Sequence, residues 1–147
     1  MPLLLALWLP LALAEDPPPH CSPEIAPVDG QVSVSVLAVE GALEAPQVKA
    51  ALEQDTLHYQ YCYARVLAED PTLAGALELR LTVAPDGTVP AAALTEDGLT
   101  RPEVGRCAVA RLRKARFPVA EAGVTTATVR LEMTPLADPT EPAVRPR

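Results

Sequence analysis

Residues 76–94 read Ala76-Leu77-Glu78-Leu79-Arg80-Leu81-Thr82-Val83-Ala84-Pro85-Asp86-Gly87-Thr88-Val89-Pro90-Ala91-Ala92-Ala93-Leu94. Leu77, Leu79, Leu81 and Val83 alternate with Glu78, Arg80 and Thr82, the period-two pattern of a strand with one apolar and one wet face. Pro85 supplies a fixed φ and Gly87 a positive one, so Pro85-Asp86-Gly87 is turn chemistry. The chain then returns over residues 88–94 as a second strand, and the pair forms a hairpin. Pro90 lacks the N–H that a central strand donates, which assigns residues 88–94 to a sheet edge or to a bulge.

On the N-terminal side, residues 31–39 alternate Val32, Val34 and Val36 with Ser33 and Ser35, another strand with one buried face. From residue 47 to about residue 69, Val48, Leu52, Tyr59, Cys62, Tyr63 and Val66 fall on one helical stripe, and Pro46 suits the first turn. Asp55 breaks that stripe and predicts a bend or interruption. Asp70-Pro71 and Gly75 end the helix. On the C-terminal side, Thr100 is the expected cap of a second helix, with Pro102 in its first turn and Glu103 near its positive end. Val104, Cys107, Ala108, Leu112 and Ala115 share its apolar stripe, Arg111 interrupts it, and Phe117-Pro118 closes it. Residues 124–133 alternate once more, with Ala127, Val129, Leu131 and Met133 on the inner side. These elements predict an α+β domain over residues 30–136, an antiparallel sheet of three to four strands with two helices on its apolar face.

The remainder of the 147 residues belongs to the ends. Residues 1–14 form an apolar run, too short to span a bilayer, that ends in Ala12-Leu13-Ala14, and they read as a cleaved secretory signal. No stable membrane anchor is expected once it is removed. Ten of the 17 prolines lie outside residues 30–136, marking residues 15–29 as a Pro-rich leader and 137–147 as a disordered tail. Nineteen acidic against 12 basic residues give a formal charge of −7, which excludes general nucleic-acid binding. Export to the periplasm or medium makes cysteines pair. Cys62 and Cys107, both within periodic apolar segments, are the expected bridge and would pin the two helices together. Cys21, left over in the leader, is a candidate for dimerisation through an intermolecular bond.

One ordered set of residues resembles a known family. Gly41-Ala42-Leu43, Tyr61-Cys62-Tyr63, Pro71-x-Leu73-x-Gly75, Ala84-Pro85-Asp86-Gly87-Thr88-Val89, Cys107-Ala108-Val109 and Arg116-Phe117-Pro118 look like the AgmX/PglI-type C-terminal domain. That domain is similar to the C-terminal domain of TonB, the cell-envelope energy transducer. The resemblance implies a sheet-and-helix domain used for protein contact in the cell envelope, a structural pair of helix cysteines, and no catalytic residues.

Chemistry and contact surfaces can be weighed residue by residue. Asp55, His58 and Cys62 stand at i, i+3 and i+7, a spacing that offers a carboxylate, an imidazole and a thiolate to a metal or to nucleophilic catalysis. The only other histidine, His20, is in the leader and a bridged Cys62 has no thiolate, so the expectation is a non-enzymatic chain without metal or cofactor. Arg101, Arg106, Arg111, Arg113, Lys114 and Arg116 put six of the 12 basic residues in 16 positions. They form either a solvated face neutralised by this chain's own acids or a patch that steers an acidic partner. Tyr61 points away from the stripe that holds Tyr59 and Tyr63. The contact residues for an envelope protein partner are therefore Tyr61, Arg106 and Arg113, with Thr88, Val89 and Ala91 on an edge open to strand addition. An accessory structural module of an envelope complex is the other reading.

Overall fold

The computed structural model describes residues 30–136. The expected signal, the expected leader with Cys21, and the expected tail all lie outside the described residues. In chain order the elements are β1 (Gly30–Gly41), α1 (Ala45–Gln54), α2 (Thr56–Leu67), β2 (Gly75–Val83), β3 (Ala91–Asp97), α3 (Pro102–Leu112) and β4 (Thr125–Pro135). The four strands form one antiparallel sheet in the order β1-β4-β2-β3. The first and last strands of the domain are thus neighbours, and β1 and β3 are the two edges. All three helices cover one face: α1 and α2 pack on β1, α3 packs on β3 and β2, and α2 lies beside α3.

The alternation read from the sequence places the core. Leu77, Leu79, Leu81 and Val83 of β2 and Ala127, Val129, Leu131 and Met133 of β4 are buried beneath the helices, with Val32 and Val34 of β1. On the opposite face Arg130 Nη1 lies 3.3 Å from Glu78 Oε1, and Glu78 and Arg130 are cross-strand neighbours. Exposed pairs of this kind contribute under about 1 kcal/mol, so the helical side holds the sheet.

The interruption expected near Asp55 separates α1 from α2. Asp55 N–H donates to the Leu52 carbonyl at 3.0 Å and His58 N–H to the Asp55 carbonyl at 2.9 Å, i to i−3 bonds that tighten the chain at the junction. The helical layer therefore has three helices where two were expected. At the end of α2 the Tyr63 hydroxyl donates to the Leu73 carbonyl, tying the helix to the loop that enters β2.

Both ends of β3 and both ends of α3 differ from expectation. The second strand begins at Ala91 and not at Thr88, because the turn consumes Thr88: Asp86 Oδ1 accepts from Thr88 N at 3.0 Å and from its hydroxyl at 2.6 Å. Pro90 then delays pairing until Ala91 meets Thr82. The strand instead runs on to Asp97, past a register shift between Glu78 and Leu79. Thr100 does not cap α3; Arg101 holds that position without a side-chain cap bond, and Asp97 Oδ1 takes the Leu99 N–H at 3.0 Å. The same helix stops at Leu112, where Ala115 N–H turns back to the Leu112 carbonyl at 3.1 Å. That tight last turn carries Ala115 and Phe117 into the core.

Phe117 closes a second circuit. Its N–H donates to the Gly87 carbonyl at 2.9 Å, and Ala120 N–H donates to Pro85 at 2.9 Å, so the segment after α3 lies across the β2-β3 turn. Gly87 has φ +85°, and a β-carbon there would stand 2.1 Å from the Phe117 carbonyl oxygen. Conformation and close approach both require glycine.

Candidate functional site

The helix cysteines are joined. Cys62 of α2 and Cys107 of α3 form a disulfide with Cα atoms 5.7 Å apart, and Cys62 is 3% exposed. Both fall on the apolar stripes read from the sequence, and the bond links α2 to α3. The bond removes Cys62 from the set with Asp55 and His58 that the spacing offers, since a disulfide sulfur is neither a thiolate nucleophile nor a thiolate ligand. His58 Nδ1 remains 3.4 Å from Asp55 Oδ1. Among the described residues no three His, Cys, Asp or Glu side chains gather as a metal-binding group.

Beside the disulfide a shallow groove of about 150 Å³ runs between α2 and α3. Arg101 crosses its end, 2.5 Å from Glu69 and 3.6 Å from Glu103. The hydrogen bond to Glu69 raises the Arg101 pKa above its ordinary value. The Glu103 carboxyl is lowered, chiefly by its own backbone N–H at the start of α3 and then by Arg101. Arg101 thus bridges Glu69 and Glu103 across the groove and, with the disulfide, joins the helices, while Arg65 in the same lining has no carboxylate within 4.0 Å among the described residues.

Two polar residues that interrupt the apolar stripes meet at one phenol. Tyr59 is 1% exposed, and its hydroxyl is buried without a hydrogen-bond partner among the described residues. Burial raises its pKa far above the ordinary value; Asp55 adds to the rise and Arg111 opposes it. Asp55 and Arg111 thus act on the same buried ring from α1-α2 and from α3.

The remaining cations of α3 are different. Arg106, Arg111 and Arg113, with Lys114 and Arg116 just beyond, have no carboxylate within 4.0 Å among the described residues; the recorded pairs engage Lys49, His58, Arg101 and Arg130. Apart from Arg101, none of this face is salt-bridged within the described residues, though Arg106 helps to lower the Glu103 carboxyl and Arg116 that of Asp86. Arg106 and Arg113 flank a depression of about 230 Å³ lined also by Leu94, Gly105, Val109 and Ala110. Leu94 comes from edge strand β3, Arg113 from the residue that follows α3, and the rest from α3. Gly105 makes the close approach of the two elements, since a β-carbon there would lie 2.8 Å from Leu94 Cδ2. Arg113 Nη2 also donates to the Ala92 carbonyl at 3.4 Å, so its guanidinium lies along β3.

The sequence-designated contact residues do not form one surface. Arg106 and Arg113 share the α3-β3 depression, and Ala91 is exposed at the start of β3. Thr88 belongs to the turn. Val89, which the sequence placed on the accessible edge, packs into the core at 6% exposure, in the segment before β3 starts. Tyr61 is 65% exposed and stands one turn from Leu57, 71% exposed, on the outer side of α2; neither lines the depression. Leu94, Gly105, Val109 and Ala110 were not designated. A glycine inside an amphipathic helix, read as a close approach instead of a weak helix former, is the signal that would have found the three on α3.

No family model, curated protein or solved structure matches the chain. No helix among the described residues is long and apolar enough to cross a membrane. The disulfide is consistent with an oxidising compartment.

Proposed function

We propose that this chain is an exported, non-enzymatic cell-envelope protein whose domain binds a protein partner in the α3-β3 depression, as the resemblance to AgmX/PglI-type and TonB C-terminal domains implies. The observation that carries this reading is the pairing of Arg106 and Arg113, neither held by a carboxylate among the described residues, with an apolar floor of Leu94, Val109 and Ala110. Such a surface takes an acidic segment with one apolar side chain: the carboxylates meet the guanidiniums, and the apolar group covers the floor. Recognition is by side chains and not by an added strand, because β3 has only seven residues and Arg113 already holds its Ala92 carbonyl.

The test is a nuclear magnetic resonance titration with synthetic acidic peptides carrying a single leucine. The expected result is a salt-sensitive perturbation of Leu94, Arg106, Val109 and Arg113 that is absent with the lysine counterpart of the peptide and lost in Arg106→Glu/Arg113→Glu. Perturbations elsewhere, or equal response to both peptides, would overturn the assignment.

A further inference from the structure

The two edges of the sheet are unequally protected. β3 is short, follows Pro90, ends in Glu96 and Asp97, is offset by a register shift, and has Arg113 on its Ala92 carbonyl. Each of these features blunts an edge against added strands. β1 has none of them over residues 31–36. It is 12 residues long, pairs only with β4 among the described residues, and carries no charged side chain before Glu40. Its outer row of backbone donors and acceptors therefore lies beside a neutral, β-branched sequence.

The order of residues along β1 selects the occupant. Val32-Ser33-Val34-Ser35-Val36 reads the same in both directions. We infer that β1 pairs antiparallel with β1 of a second copy of this chain about a two-fold axis at Val34, joining two four-stranded sheets into one of eight strands. Only an antiparallel pairing is compatible with a two-fold axis normal to the sheet, and it makes the interface the same patch on both subunits. In that register Val34 faces Val34, and Val32 faces Val36 of the second copy, so the valine layer beneath the helices continues across the junction. Ser33 faces Ser35 of the second copy on the wet side, where cross-strand hydroxyls hydrogen-bond. The register shift between Val36 and Ala38 twists the strand away just after this stretch, which limits pairing to the palindromic segment. A foreign strand would find no charge on β1 to set its direction or register, whereas in the self-pair the two-fold axis fixes the antiparallel direction and centring it at Val34 matches valine with valine and serine with serine over all five residues.

The register can be tested by charge. Ser33 is exposed and Ser35 half-buried on the wet face, and within the chain they pair with Glu132 and Arg130. Sedimentation equilibrium of the exported chain is carried out in a Cys21→Ser background, so that no leader disulfide contributes. The wild-type face should show a reversible monomer–dimer equilibrium. Ser33→Lys/Ser35→Lys sets lysine against lysine twice across the axis and should weaken association about tenfold. Ser33→Lys/Ser35→Glu sets lysine against glutamate twice, is matched within each chain to Glu132 and Arg130, and should tighten it. Circular dichroism of both variants checks that the monomer remains folded. A monomer at every concentration, or like-charge and opposite-charge variants that associate equally, would overturn the inference. The Arg106→Glu/Arg113→Glu variant should dimerise as wild type does, so failure here is distinguishable from failure of the peptide-binding assignment.

Discussion

Removing the Cys62–Cys107 bond as Cys62→Ala/Cys107→Ala should lower stability by a calculable amount. The bridge joins residues 45 apart in sequence, and the loop-entropy relation gives about 4 kcal/mol for closing such a loop in the unfolded chain. The enclosed stretch contains β2 and β3, so without the bond the unfolded ensemble gains the freedom of the whole hairpin. Against a total of about 5–15 kcal/mol for an ordinary domain, that is a large share. At roughly 4–8 °C per kcal/mol for a domain of this size, the Tm should fall by roughly 15–30 °C. Urea unfolding followed by far-ultraviolet circular dichroism gives a second signature. The uncrosslinked chain exposes more surface when it unfolds, so the m-value should rise as the midpoint falls. A variant whose midpoint drops by less than the equivalent of about 1 kcal/mol, with m unchanged, would refute the assignment of this bond as a constraint on the unfolded state.

Other perturbations have smaller and equally specific outcomes. Gly87→Ala places a β-carbon 2.1 Å from the Phe117 carbonyl oxygen at φ +85°; thermal unfolding should show a loss of at least about 1 kcal/mol. Gly105→Ala meets only the mobile end of Leu94, at 2.8 Å, and gains up to about 1 kcal/mol of helix propensity; stability should stay nearly unchanged while acidic-peptide binding in the narrowed depression weakens. Tyr63→Phe removes the donor to the Leu73 carbonyl and should cost about 1–3 kcal/mol in denaturant unfolding. The same residue gives a pH signature. Burial, and secondarily Asp70, push the Tyr63 phenol from its ordinary 10 up to about 12, so the folded chain holds a proton that the unfolded chain has released. Its contribution is complete below pH 10 and is lost as pH rises towards about 12; stability measured over that interval should decline less steeply in Tyr63→Phe.

The sheet was legible wherever burial on one face alternated cleanly, as in Leu77-Glu78-Leu79-Arg80-Leu81 and Ala127-Thr128-Val129-Arg130-Leu131. Strand order was not, because alternation says which side chains face the helices and nothing about which strand lies alongside. The break between α1 and α2 could be read because Asp55 interrupts an otherwise apolar stripe. The start of β3 was misplaced because Thr88, a good strand residue, spends its N–H and hydroxyl on Asp86, a local bond that outweighs propensity. The expected cap at Thr100 failed for a similar reason, with the Asp97 carboxylate engaging the loop first. Of the depression between α3 and β3, the two arginines could be found from charge clustering. Leu94 could not, since only the tertiary approach permitted by Gly105 brings it there.

The place of β4 between β1 and β2 governs when the domain can form. Ribosomal synthesis releases residues from the N-terminal end, so the strand that joins the two halves of the sheet arrives last. Until it emerges, β1 has no sheet neighbour within its own molecule, and Leu77, Leu79 and Leu81 face an unfinished core. A helper that shields nascent apolar strands would therefore matter most in the interval before residues 125–135 leave the ribosome.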